Sequence, residues 1–304
     1  MKIYLDFAFL ENFFLNPDDS DMYYLLKRLL CSAQSPAKLV VNFDFEEAYQ
    51  NPEKKVIFRQ IINRFSVSNL TFSDKVTTAD FYETSTPTFL FMDSVQEPVS
   101  KFGCFSLKST NLKKADVLLH GERYRIKRKD NNWAKLANHK LPCNALIMTD
   151  NYLFHNDKTF ESTLSILFNL MPSELAMDFD LTIIGYAPKD FKPITSQAER
   201  LLKILQEKYP YKINLSIVRE NHHGRYIHTN YGRFQSEKGF GLFQNEKLKP
   251  ADETTLEYSP ITEFGLYTTV FEVREDELEK CRKYCIVERM PDKQFGSKKN
   301  RLLG

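Results

Sequence analysis

Residues Glu220 to Phe243 read ENHHGRYIHTNYGRFQSEKGFGLF and gather three histidines and two arginines just after an apolar run. Within them stands the pattern His223-x-Arg225-x(4)-Asn230. An imidazole near neutral pH can attack an electrophile or carry a proton. A guanidinium presents a planar fork that matches two phosphate oxygens. An asparagine adds hydrogen bonds without charge. These types at this spacing predict an anion site, with His223, Arg225 and Asn230 as phosphate-binding residues. The plain alternative is that the same groups close the end of a sheet and pair with carboxylates such as Glu220.

A second cluster precedes it. In RYRIKRKDNNWAK, Arg123, Arg125, Lys127 and Lys129 recur at every second position. On a strand that period puts four cations on one face. Like charges repel unless an anion lies against them, and a phosphodiester backbone is such an anion. Trp133, the one tryptophan, could stack on a base. The five residues are nucleic-acid-binding candidates. The bland reading is a solvated edge hairpin whose cations discourage aggregation.

The third cluster is acidic. Asp6 ends the first apolar run, Glu46 and Glu47 follow the second, and Asp93 ends the third. Carboxylates gathered at strand ends can hold Mg²⁺ and position water for phosphodiester cleavage. Asp6, Glu46 and Asp93 are the candidate catalytic residues, with Asp6 and Glu46 as metal ligands and Asp116 as a further carboxylate. Helix capping is the competing role for Asp6 and the glutamates. Asp150, in IMTDNY, could line the histidine site or make a turn.

The His223-x-Arg225-x(4)-Asn230 pattern resembles the His-x-Lys-x(4)-Asp signature of the phospholipase D superfamily, with arginine for lysine and asparagine for aspartate. The surrounding order of strand, helix, strand, helix, strand, motif and a glycine-containing turn resembles that family too, over roughly residues 140–280. It is similar to the degenerate, non-catalytic type at the C-terminus of proteins carrying an MIT domain. That resemblance implies a phosphodiester-binding site. Catalysis in the family needs two facing motifs, and here it would need a homodimer pairing two copies of His223. The opening MKIYLDFAFLENFF resembles PIN-type nucleases, with Asp6 as the first aspartate and Phe7 where a polar residue is usual; this implies Mg²⁺.

Composition limits the rest. With 42 Lys+Arg against 40 Asp+Glu, the net charge is only +2, so polyanion contact must come from a local patch. No apolar run approaches the ~20 residues of a membrane span. The five scattered cysteines and the absence of a signal-peptide pattern before the first strand predict a reduced, cytoplasmic setting. Cys281 and Cys285, four apart on a predicted helix, have no second ligand pair for zinc.

The elements that must position these residues alternate. Strands are expected at Lys2–Asp6, Lys38–Phe45 and Thr86–Ser94, with a helix at Glu53–Phe65. After a boundary near residue 110 and a basic hairpin, alternation resumes from Cys143. Thr195 is expected to cap a helix, Gly265–Val273 to form a strand, and Arg274–Cys285 a helix. The fold class is therefore α/β: a strand/helix alternating domain over 1–110, a phospholipase D-like mixed-sheet domain over 111–290, and a disordered basic tail over 291–304. The function expected is nucleic-acid binding within a nucleic-acid-processing or bacterial defence system. A Mg²⁺-dependent nuclease and a phosphoinositide or membrane-surface adaptor are the alternatives.

Overall fold

The computed structural model describes residues 1–44, 46, 50–73, 87–95, 99–127, 133–153, 157–185, 194–241, 253–265, 268–289, 293–297 and 299–304. The chain forms two units. The first comprises Met1–Ser100, Cys104–His120 and Pro260–Val273, and the second Lys101–Gly103, Gly121–Ser259 and Arg274–Gly304. The boundary expected near residue 110 thus falls inside the first unit, which also takes a short segment from late in the chain.

In the first unit, β1 (Lys2–Asp6) lies at the centre of a parallel sheet. Around it stand β2 (Lys38–Asn42), β3 (Leu70–Ser73), β4 (Thr88–Phe91) and β5 (Phe105–Leu107), in the order β3-β2-β1-β4-β5. Every pairing is parallel. Strands covered on both faces read as continuous apolar runs, and β4, TFLF, is buried at all four positions. Helix α1 (Phe7–Leu15) follows β1 without a gap and buries Phe9, Leu10, Phe13 and Phe14. Helix α2 (Asp21–Cys31) is capped by Ser20 and buries Tyr23, Leu26, Leu29 and Leu30, at the three- and four-residue spacing of one helix face. Helix α3 (Pro52–Ile62) starts with Asn51 as cap and Pro52 in its first turn. A short helix, α4 (Asp116–Leu119), closes this part of the chain.

The second unit is built on a mixed sheet. Its parallel part is β7 (Ala145–Thr149), β8 (Phe179–Gly185) and β9 (Ile213–Arg219). Its antiparallel part is β6 (Glu122–Lys127), β10 (Tyr226–Thr229), β11 (Gly232–Ser236) and β12 (Glu253–Pro260), with β13 (Gln294–Phe295) against β9. The strand order is β13-β9-β8-β7-β10-β11-β12-β6, so β6 is an edge. Helices α5 (Asp157–Leu170) and α6 (Ile194–Lys208) connect the parallel strands. Helix α7 runs Val270–Ile286. The molecule is a mixed α/β protein, as its sequence predicts.

Three local expectations are corrected. Among the described residues of 265–273 none belongs to a strand; a bridge joins Phe264 to Thr269 and α7 begins at Val270. Val270, Phe271 and Val273 suit either element, and α7 already uses Thr269 Oγ1 to accept from Glu272 N at 3.0 Å. Thr195 lies inside the first turn of α6 rather than before it. The tail, expected to be disordered, packs. Leu302 and Leu303 join Ala145, Ile147, Ile184, Val218, Leu278, Cys281 and Cys285 in one apolar cluster. Full burial of each leucine contributes about 1.5–3 kcal/mol. Asn300 Nδ2 donates to Leu146 O at 3.2 Å and to Thr182 Oγ1 at 3.1 Å, and Arg301 Nη1 donates to Asp178 O at 2.7 Å. Two leucines and these hydrogen bonds offset the ordering entropy that the polar composition alone suggests would prevail.

Candidate phosphate site at the carboxyl edge of the mixed sheet

Ligand crevices of α/β sheets lie beyond the carboxyl ends of the parallel strands. In the second unit those ends are Thr149, Gly185 and Arg219, and the segment Glu220–Arg225 runs across them. It is tied down from both sides. Glu220 N donates to Gly185 O at 2.9 Å. His222 N donates to Asn151 Oδ1 at 2.9 Å, Thr149 Oγ1 donates to Gly224 O at 3.0 Å, and Tyr226 N donates to Thr149 Oγ1 at 3.1 Å. Gly224 is needed for close approach, because a Cβ there would come 2.4 Å from His222 Nε2 and 2.3 Å from the Tyr226 ring.

Fixed in this way, the two adjacent histidines diverge. His222 turns inward and is buried, and His223 is exposed. Burial holds the His222 imidazole below its ordinary range, with Lys280 acting the same way. Arg225 is half-buried and its Nη1 donates to the backbone carbonyl of Glu237. A carbonyl positions the guanidinium without neutralising it. Beneath it, Asp150 is fully buried; its Oδ2 accepts from Phe240 N at 2.5 Å and its Oδ1 from Tyr152 N at 3.0 Å. Burial pushes the Asp150 carboxyl above the usual range, while the two amides and Arg225 oppose that rise. Asp150 therefore fastens the β7 turn to the glycine turn after β11. Gly239 sits in that turn at φ 92°, where a Cβ would meet Asp150 Oδ2 at 2.6 Å.

Asn230 does not join this group. It is buried in the turn between β10 and β11, at the other end of β10 from Arg225. Its Oδ1 accepts from Asn144 N at 3.0 Å and Ala145 N at 3.2 Å, and its Nδ2 donates to Asn144 Oδ1 at 2.9 Å. The intervening strand of four residues spans roughly 13 Å at ~3.3 Å per residue. Asn230 braces the start of β7, and its expected place in the phosphate site is corrected.

The basic strand exists as β6. Arg123, Arg125 and Lys127 are exposed, while Ile126 is buried on the opposite face. Their neighbours on β12 are acidic: Arg123 stands across from Glu257 and Lys127 across from Glu253. Arg125 Nε donates to Glu253 Oε2 at 2.7 Å, with Nη2 on the other oxygen. A groove of about 470 Å³ is lined by Arg123, Arg125, Glu237, Lys238, Glu253 and Thr255. Glu237, whose carbonyl holds Arg225, is thus shared with the basic groove. Lys129 lies outside the described residues. Trp133 is corrected: it is buried at 1%, and its Nε1 donates to Ser162 Oγ at 2.8 Å. Its ring packs 5.6 Å from that of Phe240 and offers no face to a base. Lys238 and Glu253 were missed; the Ser-Glu-Lys-Gly turn and the alternation Glu253-x-Thr255-x-Glu257 are the signals that carry them.

The acidic trio fares differently. Asp6 ends β1 and Asp93 follows β4, the neighbouring strand at which the strand order reverses. Asp6 is buried; its Oδ1 caps α1 by accepting from Phe9 N at 2.7 Å, and its Oδ2 accepts from Ser94 N at 2.7 Å. Asp93 accepts from Ser109 N at 2.8 Å, Ser109 Oγ at 2.5 Å and Asn12 Nδ2 at 3.0 Å. Glu46 is exposed beyond β2, and Glu47 lies outside the described residues. Among the described residues no group of three His, Cys, Asp or Glu side chains is placed to hold a metal ion. Asp6, Glu46 and Asp93 therefore do not fit Mg²⁺ as a set. Asp116 Oδ1 accepts from His120 Nδ1 at 2.8 Å on the surface.

Comparison with solved structures finds a mutant of yeast tyrosyl-DNA phosphodiesterase. The match has 15% sequence identity and a TM-score of 0.30, and covers 54% of this chain and 37% of that one. No protein-family model matches the chain, and no curated protein matches it. No helix among the described residues is long and apolar enough to cross a membrane.

Proposed function

We propose that the second unit binds a phosphodiester backbone, that of a nucleic acid, through a phospholipase D-like carboxyl edge that grips phosphate without cutting it. The observation that carries this reading is the junction at Glu237 and Lys238. There the Arg225 guanidinium, held by the Glu237 carbonyl, adjoins the groove of Arg123, Arg125 and Lys238. A phosphate chain is the ligand whose charge repeats along such a track. His223, exposed at the loop tip, adds a hydrogen-bond donor. Binding rather than cleavage is favoured because Asn230 is committed to Asn144 and Ala145, and the sequence carries one His-x-Arg motif.

The test is incubation with labelled single-stranded RNA and DNA across a salt series, in Mg²⁺ or in EDTA. Binding should weaken steeply with salt, and Arg225→Gln should weaken it several-fold and reduce the salt slope by about 1. Binding indifferent to Arg225→Gln overturns the assignment. Cleavage in EDTA that disappears in His223→Ala would make the site catalytic, and cleavage that requires Mg²⁺ would return the acidic cluster to consideration.

A further inference from the structure

Glu253 opens β12 directly across from Lys127. Its carboxylate receives the Nε and Nη2 arms of Arg125. Lys127 is the cross-strand neighbour of Glu253, and Lys238 lines the same groove. Two cations of β6 and one from the turn after β11 therefore converge on one carboxylate, at the wall of the groove described above. A fork-on-fork contact with arginine is also how phosphate is held.

We propose that Arg125, Lys127 and Lys238 form a phosphate subsite, and that Glu253 occupies it in the ligand-free protein as an intramolecular competitor. The proposal rests on the phosphodiester reading and adds a threshold to it. An exposed ion pair contributes little to stability, so an incoming phosphate can replace the carboxylate readily. A lone small anion gains little by doing so. A polyanion that also engages Arg225 gains from both contacts, because the second becomes intramolecular. Glu253 thereby selects for ligands long enough to span the turn.

The test compares the wild-type chain with Glu253→Gln, Glu253→Asp and Glu257→Gln, using a labelled single-stranded oligonucleotide and inorganic phosphate as probes. Glu253→Gln should bind the oligonucleotide about 3- to 10-fold more tightly at low salt, with a salt slope steeper by about 0.7. It should also narrow the margin between oligonucleotide and phosphate. Glu253→Asp should stay near wild type. Glu257→Gln removes the same charge from the same strand and should gain less. Equal gains in the two glutamine variants, or none in Glu253→Gln while the wild type binds, would overturn the competitor role alone. Absence of binding by every form would remove the phosphodiester reading and this one together.

Discussion

His228 places its Nε2 3.4 Å from a carboxylate oxygen of Glu277, yet among the described residues neither of its ring nitrogens has a hydrogen-bond partner. Glu277 is already taken by Arg233, whose Nε and Nη2 reach its two oxygens at 2.7 and 2.8 Å. Arg274, fully buried on α7, lies close by and donates to Thr229 O at 3.0 Å. The Glu277 carboxylate thus pairs with Arg233 beside the imidazole, while Arg274 Nη1 donates to Glu275 Oε1 at 2.8 Å.

That arrangement makes stability depend on pH. Burial, then Arg274 and Arg233, hold the His228 imidazole well below its ordinary range. The folded protein keeps it neutral, while an unfolded chain protonates it near pH ~6.5. The stabilisation is therefore complete above that value and is lost as pH falls below it, by up to ~1.4 kcal/mol per pH unit. Melting temperature measured between pH 5 and 8 should drop on the acid side, and His228→Gln should flatten the drop. His222, shifted the same way by burial and Lys280, should account for part of what remains. Identical pH profiles for wild type and His228→Gln would refute this.

Asn230→Asp, which introduces the residue found at this place in the phospholipase D signature, should not create activity. The new carboxylate would face Asn144 Oδ1 without a proton to donate. Denaturant unfolding should show a loss of about 1–3 kcal/mol. Oligonucleotide affinity should stay within about twofold of wild type, since Arg225 and the β6 cations are untouched.

Trp133 is a fluorescence reporter of the fold rather than of the ligand. Its emission should be blue-shifted and unchanged by saturating oligonucleotide. Trp133→Ala should destabilise by about 3–5 kcal/mol, and Trp133→Phe by less, through loss of the Ser162 hydrogen bond. Quenching by an oligonucleotide would show that the indole meets bases after all.

Gly239→Ala combines two penalties, a left-handed backbone and a clash with Asp150 Oδ2. It should cost at least ~1 kcal/mol and weaken oligonucleotide binding, because the same turn carries the carbonyl that aims Arg225. Asp150→Asn keeps the shape and should bind better than Gly239→Ala. The comparison reads whether turn geometry or charge sets the guanidinium.

What the sequence alone determined is local and periodic. The apolar runs of β1, β4, β7, β8 and β9, the amphipathic α2, and the two-residue alternation of β6 follow from neighbour spacing, and the alternation of strand and helix gave the α/β class. The His223–Arg225 pair was legible because both residues sit in one short loop. Asn230 was not, because its distance from Arg225 depends on the four residues between them running straight as β10. Asp6 read as a candidate ligand with capping as the competing role, and only the placement of Phe9 and Ser94 amides around it chose. The tail looked soluble by composition, but Asn300, Leu302 and Leu303 find partners more than a hundred residues away. Glu253 met Arg125 across a strand pairing 128 positions apart. Spacing along a chain fixes which side chains share an element. Which elements touch is decided by burying all their apolar faces at once, and the contacts that reassigned Asn230, Trp133 and the tail were of that second kind.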